Sequence, residues 1–487
     1  MMWIYKINGD VVDILSSGSE DDIRKGDYLQ IDDLSSDRSL IVQVINSGYA
    51  DIPGILEEIL RSPAEEDIKG AEIDLLQIKS YIDVIKDSKV YTCRIRSALE
   101  NGEISDDVSW IPSRSSSKPK KLSDKLLLKI ANIGQENPIA IGSTKSGANF
   151  SINITDLDGK LNIITGKKET GKSHLSKTLI LGLVSYGGMC IVFDVNGEYV
   201  NLGYMENGDK NDFHDKILVI TPGRDFRVTL EYVGLSTLLD LMTSVLDLPS
   251  TSTWELRKIW VQLAKNSNLS LKSLGDTIHS VKNDLIRDAL LRRHEILEQS
   301  KICTDNIYEA NTLEKCFHKI KDGGALVINL HDTSATMQKI IVEFILSKLT
   351  NLLEKETIKA MFLLAEEAHL YLKETYWDEI VTRMRHLGVF TTFVTNQPDS
   401  IREGIYRQAD NIFLFNFTNE HDLETVSKAA RVDAETVNII ARELPHHHCL
   451  VLGKVVHDFP LVVKVNPLRA KTMGRTRLFF PNLIKTL

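Results

Sequence analysis

Apolar and polar residues alternate in two different ways before and after about residue 125. Short apolar or alternating runs separated by Gly, Asp and Ser occupy residues 1–110: WIYKI, DYLQI, SLIVQVI and KVYTCRIRS. Such runs predict short antiparallel strands, so we expect residues 1–110 to form a small β-barrel or sandwich. The stretch ILEEILRS predicts one short helix in this region, at Ile55–Ser62.

The segment Ile111–Lys125 is rich in Ser, Pro and Lys, a composition that buries little apolar surface and predicts a linker. After it, continuous apolar runs alternate with helical patterns: LNIIT, CIVFD, KILVIT, ALVINL, AMFLLA, VFTTFVT and NIFLF. Strands that are buried on both faces and separated by helices predict a mostly parallel α/β sheet within residues 126–465.

Two parts of the chain depart from this alternation. Residues 230–321 are almost purely helical in pattern, and Ser252 and Glu255 there have the spacing of a capping box. We expect a helical insertion in the α/β domain. Residues 466–487 leave the strand pattern and predict a C-terminal arm.

One loop combines two glycines with a lysine and a serine at fixed spacing. Its sequence, GKKETGKS, fits G-x-x-x-x-G-K-[ST] between an apolar strand and an apolar-periodic helix. In that context the backbone N–H groups and the helix N-terminus bind phosphate, Lys172 reaches the β/γ-phosphates of ATP, and Ser173 ligates Mg²⁺. The alternative, a basic surface turn, does not account for this placement. The predicted nucleotide-binding residues are Gly166, Lys168, Glu169, Thr170, Gly171, Lys172, Ser173 and His174.

Two carboxylates follow the apolar run MFLLA, and a P-loop needs an acid at the end of such a strand. We expect Glu366 to orient Mg²⁺ through water and Glu367 to polarise the attacking water. Solvated caps at a helix start are the alternative reading of paired glutamates.

The segment FVTNQPDSI is another apolar strand that ends in amides, so Gln397 is expected to contact the γ-phosphate or the attacking water. Just before that strand, Arg383 and Arg385 precede Gly388. An arginine at a subunit edge can stabilise transition-state charge in a neighbouring active site. We expect Arg385 to act in this way, with Arg383 as the alternative.

Composition narrows the remaining possibilities. The formal net charge of −9 shows no general basic character, which weakens but does not remove a nucleic-acid role. Five widely spaced cysteines predict reduced thiols. We expect no metal site at PHHHCL (Pro445–Leu450), because consecutive histidines point in different directions. No signal-peptide pattern and no apolar stretch of about 20 residues is present, so a cytoplasmic protein with no membrane partner is expected.

Three motifs together resemble the HerA branch of the HerA/FtsK-like ATPases: FDVNGEY (Phe193–Tyr199), EEAH (Glu366–His369) and RHLGVFTTFVTNQPDSI (Arg385–Ile401). The resemblance covers nearly the whole chain. It implies an α/β fold with a RecA-like P-loop ATPase core, a small N-terminal β-barrel, a helical insertion and a C-terminal arm. Glu366 stands where many relatives have Asp, and Lys-Lys-Glu replaces the usual small, Gly-rich middle of the loop.

The resemblance also implies partners. HerA-type ATPases are typically homohexamers that translocate double-stranded DNA, with the arginine acting in trans. They are paired with a separate effector protein, a nuclease or a sirtuin-like NAD-hydrolase in antiphage systems. A second hypothesis stays open: an ATP-regulated hexameric scaffold that controls its effector without processive translocation, which the acidic charge and the bulky loop favour.

Overall fold

The computed structural model describes residues 2–16, 22–49, 88–372, 379–417, 419–429, 433–468 and 470–471. The helix predicted at Ile55–Ser62 and most of the predicted C-terminal arm, residues 472–487, lie outside the described residues.

The N-terminal residues form an antiparallel sheet, which confirms the strands expected there. Its order is β1-β2-β5-β4-β3-β7, with β6 paired to β5, and the sheet curls until β1 contacts β7. Alternate side chains of β2, β3 and β4 fill its core. The strands are β1 (Met2–Asn8), β2 (Val11–Ser16), β3 (Tyr28–Asp33), β4 (Arg38–Tyr49), β5 (Lys89–Glu100), β6 (Glu103–Ser105) and β7 (Ser117–Leu122).

The expected linker is wrong over its second half, because Ser117–Leu122 forms β7 and pairs with β3 along its whole length. Its lysines point outward, where Lys120 pairs with Asp32 at 2.5 Å and Lys121 with Asp27 at 2.8 Å. The lysines thus remain solvated while the backbone completes the sheet. Composition alone hides this strand, because its exposed lysines outnumber the buried Pro119 and Leu122 and its pairing with β3 is not visible in its own sequence.

The second sheet confirms the predicted α/β core. Among the described residues its order is β12-β13-β11-β14-β15-β10-β16-β17-β18-β8-β9. In this spatial order, neighbouring strands from β12 as far as β16 are parallel, and those from β16 as far as β9 are antiparallel. The strands are β8 (Pro138–Thr144), β9 (Asn149–Asn153), β10 (Asn162–Thr165), β11 (Met189–Asp194), β12 (Ile217–Ile220), β13 (Gly324–Asn329), β14 (Met361–Glu366), β15 (Val389–Thr395), β16 (Asn411–Phe415), β17 (His448–Gly453) and β18 (Leu461–Val465).

Helices cover both faces of this sheet, and residues 230–321 are mainly helical, as expected. The helices are α1 (Asp124–Ile130), α2 (Lys172–Ser185), α3 (Leu230–Val233), α4 (Leu235–Asp240), α5 (Ser250–Lys265), α6 (Leu271–His279), α7 (Asp284–Gln299), α8 (Leu313–Lys319), α9 (Ala335–Glu354), α10 (Glu403–Gln408), α11 (Glu420–Ala429) and α12 (Ala434–Arg442). Single π-helical turns lie at Leu241–Val245 and Ile380–Met384.

The predicted capping box is wrong. Helix α5 begins two residues before Ser252, with Pro249 at its N-cap, so Ser252 lies buried inside the helix. Glu255 instead pairs with Lys258 at 3.2 Å. Proline has a fixed φ that suits a helix start, and it sets the boundary earlier than the serine.

The continuous apolar runs are explained by two hydrophobic cores, one on each face of the second sheet. In β11, Ile191 and Phe193 face one core while Cys190 and Val192 face the other. A strand buried on both faces needs apolar side chains at successive positions. All five cysteines are buried as free thiols, as predicted.

A partly buried ion pair joins the N-terminal sheet to the core. Arg96 of β5 donates to Asp433 at 2.9 Å, to Thr436 at 2.8 Å and to Gln43 at 3.1 Å. Asp433 is also the N-cap of α12, where it accepts from the Thr436 backbone N–H. A guanidinium with three fixed partners holds the two parts in one orientation.

We expect Arg96→Met to destabilise the protein by about 2 kcal/mol, because Asp433 loses the nearer of its two arginine partners and keeps only Arg94, at 3.6 Å. Urea unfolding followed by tryptophan fluorescence and limited proteolysis measures the loss. Arg38→Met is the matched control: its pair with Glu100 is more exposed, so a cost below about 1 kcal/mol is expected. Equal effects of the two substitutions would contradict a role for Arg96 in attachment.

Candidate active site

The carboxyl ends of three adjacent strands meet at one edge of the second sheet. β15 pairs in parallel with β10 on one side and with β14 on the other, with Thr165 opposite Thr395 and Glu366 opposite Val394. The P-loop follows β10, the amide segment follows β15, and the paired glutamates end β14. Three segments far apart in sequence therefore converge.

The P-loop conformation depends on its two glycines. Gly166 has φ of 153° and Gly171 has φ of 115°, both in the region that favours glycine. A Cβ at Gly166 would lie 2.4 Å from Cβ of Phe415, so the loop packs closely on β16. The Thr170 hydroxyl donates to the Lys167 carbonyl at 2.7 Å, which closes the loop, and α2 begins directly after Gly171. Lys168 and Glu169 are exposed.

Lys172 turns back over this loop. Its Nζ donates to the carbonyls of Gly166 at 2.7 Å and of Lys167 at 2.6 Å. Burial lowers the pKa of this ammonium to about 8, while the carboxylates of Glu367, Glu198 and Glu366 act in the opposite direction. A buried cation held only by neutral carbonyls is suited to bind an anion placed on the loop.

Glu366 is buried beside this lysine. It accepts hydrogen bonds from Asn196, yet its Oε2 is buried without a hydrogen-bond partner. Burial raises the pKa of Glu366, and the nearby Asp194 and Glu198 carboxylates raise it further. A buried carboxylate oxygen without a partner is costly unless a cation or ordered water satisfies it, so this residue fits a divalent-cation site with Ser173.

Glu367 is held in a strained backbone position. Its φ and ψ are both 46°, and its N–H donates to the Val394 carbonyl at 2.7 Å. The Oε2 atom accepts from the Thr395 hydroxyl at 3.1 Å and from the Asn396 N–H at 3.4 Å. Left-handed backbone is costly for a non-glycine residue, and here these hydrogen bonds hold it and fix the carboxylate at the tip of β15.

Gln397 lies two residues beyond β15, with its side chain exposed at the same edge. Its backbone N–H donates to the Thr395 hydroxyl at 3.0 Å, and Pro398 starts a 3₁₀ turn directly after it. The same threonine therefore positions both Glu367 and Gln397.

Arg385 and Arg383 lie at the opposite edge of the sheet, before β15 begins. Arg385 donates to the Gly159 carbonyl through Nε at 3.0 Å and Nη2 at 2.8 Å, and Nη2 also contacts Asp410 at 2.8 Å. Arg383 is more exposed and pairs with Glu354 and Glu379. The structure does not bring either arginine to the P-loop of its own chain.

His174 contacts two segments from the C-terminal part of the chain. Its Nδ1 accepts from the Leu468 N–H at 3.2 Å, and its ring packs edge-to-face against His447. The His447 N–H in turn donates to the Thr170 carbonyl at 3.2 Å. The PHHHCL segment thus supports the P-loop. Among the described residues, no three or more His, Cys, Asp or Glu side chains are grouped so that they could hold a metal ion by themselves.

Sequence reasoning missed the site roles of Thr395, Asp194 and Glu198. The sequence did indicate that FVTNQ and FDVNGEY each contain the end of a buried strand, where site residues are expected. The spacing within each segment does not show which side chains contact one another. Among the described helices none is both long and apolar enough to cross a bilayer.

Comparison with known proteins identifies the relatives. Residues 139–349 match the family model described as the central domain of the helicase HerA. A DNA double-strand break repair helicase HerA from Saccharolobus solfataricus is 22% identical over 373 residues, covering 70% of this chain and 71% of that protein. Its counterpart from Pyrococcus furiosus is 22% identical over 457 residues, covering 80% of each.

Two solved structures of a bacterial conjugative coupling protein are similar in fold. The unbound monoclinic form of TrwBΔN70 gives a TM-score of 0.52 at 13% identity, covering 73% of this chain and 94% of that one. TrwB in complex with the ATP analogue ADPNP gives 0.51 at 14% identity, covering 73% and 95%. The chain is thus similar to HerA helicases in the region that carries the P-loop, and it shares its fold with TrwB.

Proposed function

We propose that this protein hydrolyses ATP with Mg²⁺ at the edge where β10, β15 and β14 end. The observation that carries the proposal is the convergence of a P-loop lysine, a buried carboxylate with an unsatisfied oxygen and a fixed second carboxylate. The relatives named HerA are helicases, and the TrwB structure with ADPNP shows that a protein of this fold holds an ATP analogue.

Each residue has a separate task in this proposal. The N–H groups of Gly166–Ser173 surround the phosphates, and Lys172 leaves the Gly166 and Lys167 carbonyls to contact the β/γ-phosphates. Ser173 and Glu366 hold Mg²⁺, which neutralises charge on the triphosphate when bound.

Glu367 orients and deprotonates the attacking water. The hydrogen bonds from the Thr395 hydroxyl and the Asn396 N–H both go to Oε2 of Glu367. The left-handed backbone at Glu367 fixes the direction of the side chain. Gln397, at the exposed tip of the same segment, contacts the γ-phosphate or the water.

We further propose a homohexameric ring that translocates double-stranded DNA and works with a separate effector, a nuclease or a sirtuin-like NAD-hydrolase, in DNA processing or antiphage defence. The HerA relatives support the DNA part, since they are double-strand break repair helicases. Arg385 lies too far from its own P-loop to act there, which supports action on a neighbouring subunit. The N-terminal sheet with β7 as its last strand is proposed as the barrel, residues 126–465 as the ATPase domain and residues 466–487 as the arm.

The second candidate is an ATP-regulated hexameric scaffold that controls its effector without processive translocation. Two observations favour it: the chain has a net charge of −9, and the P-loop carries the bulky exposed Lys-Lys-Glu sequence. A hydrolysis rate that depends on the effector rather than on DNA is expected in that case.

ATP hydrolysis measured with and without linear double-stranded DNA tests the proposal. We expect stimulation by DNA in the wild type and no hydrolysis in Lys172→Ala, because the lysine contacts the phosphates. ATP turnover at the wild-type rate in a folded Lys172→Ala variant would overturn the P-loop assignment. Hydrolysis that is indifferent to DNA would overturn the motor and leave the scaffold.

Glu367→Gln should bind ATP and fail to hydrolyse it, because an amide is a poor general base. We expect a loss of about 10²-fold or more in turnover, with nucleotide affinity retained, in a filter-binding and phosphate-release assay. Glu366→Gln is the companion variant, and it should weaken Mg²⁺-dependent binding. If Glu366→Gln removes turnover without weakening binding, and Glu367→Gln retains turnover, the roles of the two glutamates are reversed.

Arg385→Ala should bind ATP normally and hydrolyse it about 10³-fold more slowly, because the neighbouring active site loses its positive charge. Mixed with Lys172→Ala, it should recover partial activity, since some interfaces then pair an intact P-loop with an intact arginine. Phosphate release from mixed rings, whose composition is checked by native mass spectrometry, gives the readout.

Asp410→Asn is the control for the hydrogen bonds that Arg385 makes within its own chain. It weakens the Asp410 contact and leaves the guanidinium present. If Asp410→Asn is as slow as Arg385→Ala, the defect comes from the base of the sheet rather than from a neighbouring site. The role would pass to Arg383 if mixed rings of Arg385→Ala and Lys172→Ala show no activity, while mixed rings of Arg383→Ala and Lys172→Ala recover it.

A further inference from the structure

The segment after β11 brings two more carboxylates to the proposed active site. β11 pairs in parallel with β14, with Phe193 opposite Ala365, so Asp194 and Glu366 end neighbouring strands. Both Asp194 and Glu198 act on Glu366 electrostatically, and Glu198 also acts on Lys172. Three acidic side chains therefore lie near enough beside the P-loop to influence one another, although they do not form a cluster of direct metal ligands.

Asp194 builds the turn that returns Glu198 to this part of the site. Its two carboxylate oxygens accept from the Glu198 N–H at 2.9 Å and the Tyr199 N–H at 2.8 Å. Gly197 has φ of 72°, and a Cβ there would lie 3.3 Å from the His331 ring. The turn is therefore fixed by both its hydrogen bonds and its packing, and Asp194 acts as its internal brace.

Glu198 is attached to the P-loop helix. Lys177 of α2 is 1% exposed, and its Nζ lies 3.4 Å from Glu198 Oε2. One residue before it, Ser176 shares a hydrogen bond of 2.7 Å with the Tyr199 hydroxyl. These contacts lie one helical turn beyond Ser173, so they set the distance between the Glu198 carboxylate and the residue proposed to hold Mg²⁺.

An independent observation points to a cation in this part of the site. Glu366 is 3% exposed, and its Oε2 has no hydrogen-bond partner, although it lies among the acidic side chains just described. Buried like charges destabilise one another unless a cation lies between them. Backbone N–H groups already bind both Asp194 oxygens, whereas the Glu198 side chain, whose bond from Lys177 is to Oε2, remains 17% exposed.

We propose that Glu198 is a positioning residue for the divalent cation, and that its carboxylate, held by Lys177, accepts hydrogen bonds from the water shell of Mg²⁺ beside Glu366. This rests on the proposed function, because Mg²⁺ enters the site with ATP. Removal of a second-layer partner of this kind typically lowers metal affinity about 10- to 100-fold.

A purely structural role for the Lys177–Glu198 pair makes a different prediction. If the pair only braces the loop, loss of Glu198 weakens nucleotide binding equally with and without Mg²⁺. If Glu198 serves the cation, its loss also removes a negative charge near the triphosphate. Binding without metal then stays equal or becomes tighter, and only the gain that Mg²⁺ gives becomes smaller.

The experiment titrates Mg²⁺ against a fluorescent ATP analogue bound to full-length Glu198→Gln, with a parallel series in EDTA. We expect about a 10-fold rise in the Mg²⁺ concentration for half-maximal binding, and unchanged or tighter binding in EDTA. Asp212→Asn is the matched control: it makes the same charge change at an exposed position between β11 and β12 and should shift neither value. Thermal unfolding verifies that each variant is folded.

Glu198→Asp extends the test if the glutamine variant fails to fold. It keeps the charge but withdraws the carboxylate by one methylene, so a smaller shift in the same direction is expected. An unchanged Mg²⁺ requirement, or equal weakening with and without Mg²⁺, overturns the proposal. Failure of the proposed function is distinguishable, because the wild type would then bind no nucleotide at any Mg²⁺ concentration.

Discussion

Parallel pairing of β10, β15 and β14 is the interaction on which the site depends. Because β15 lies between the other two strands, the P-loop and the paired glutamates are separated by one strand, and the tip of β15 fills the space between them. Thr395 at that tip binds Glu367 and positions Gln397. A change of strand order would separate these groups even if every strand and loop kept its own conformation.

Charge balance at this edge is the second constraint. Lys172 and Lys177 are buried in the P-loop helix, and they face Glu366, Glu367 and Glu198. Two cations do not neutralise these carboxylates together with Asp194, and Glu366 Oε2 stays unsatisfied. Such an arrangement is costly in an isolated fold, and it is understandable in a protein whose ligand brings both a cation and an anion.

The opposite edge of the sheet anchors the P-loop strand. The buried amide of Asn411 donates to Asn162 at 2.8 Å, and Asn162 donates to Thr392 at 3.2 Å, which links the starts of β16 and β10 to the middle of β15. Asp410 accepts from both Arg385 and the Leu161 N–H, so the guanidinium belongs to the same network. Movement of the Arg385 side chain would thus be transmitted through Asp410 to the residue that precedes β10.

The sequence by itself determined the parallel strands, the helical region, the P-loop and the glutamate pair, because hydrophobic periodicity and loop spacing are local properties. It misplaced the start of α5 and hid β7 in a lysine-rich segment, since strand pairing is decided by a distant partner. Only the tertiary structure decided that Thr395 holds Glu367, that Lys177 holds Glu198 and that Arg385 lies far from its own P-loop. Those relations depend on strand order and on side-chain contacts across as many as 226 positions, which no local pattern encodes.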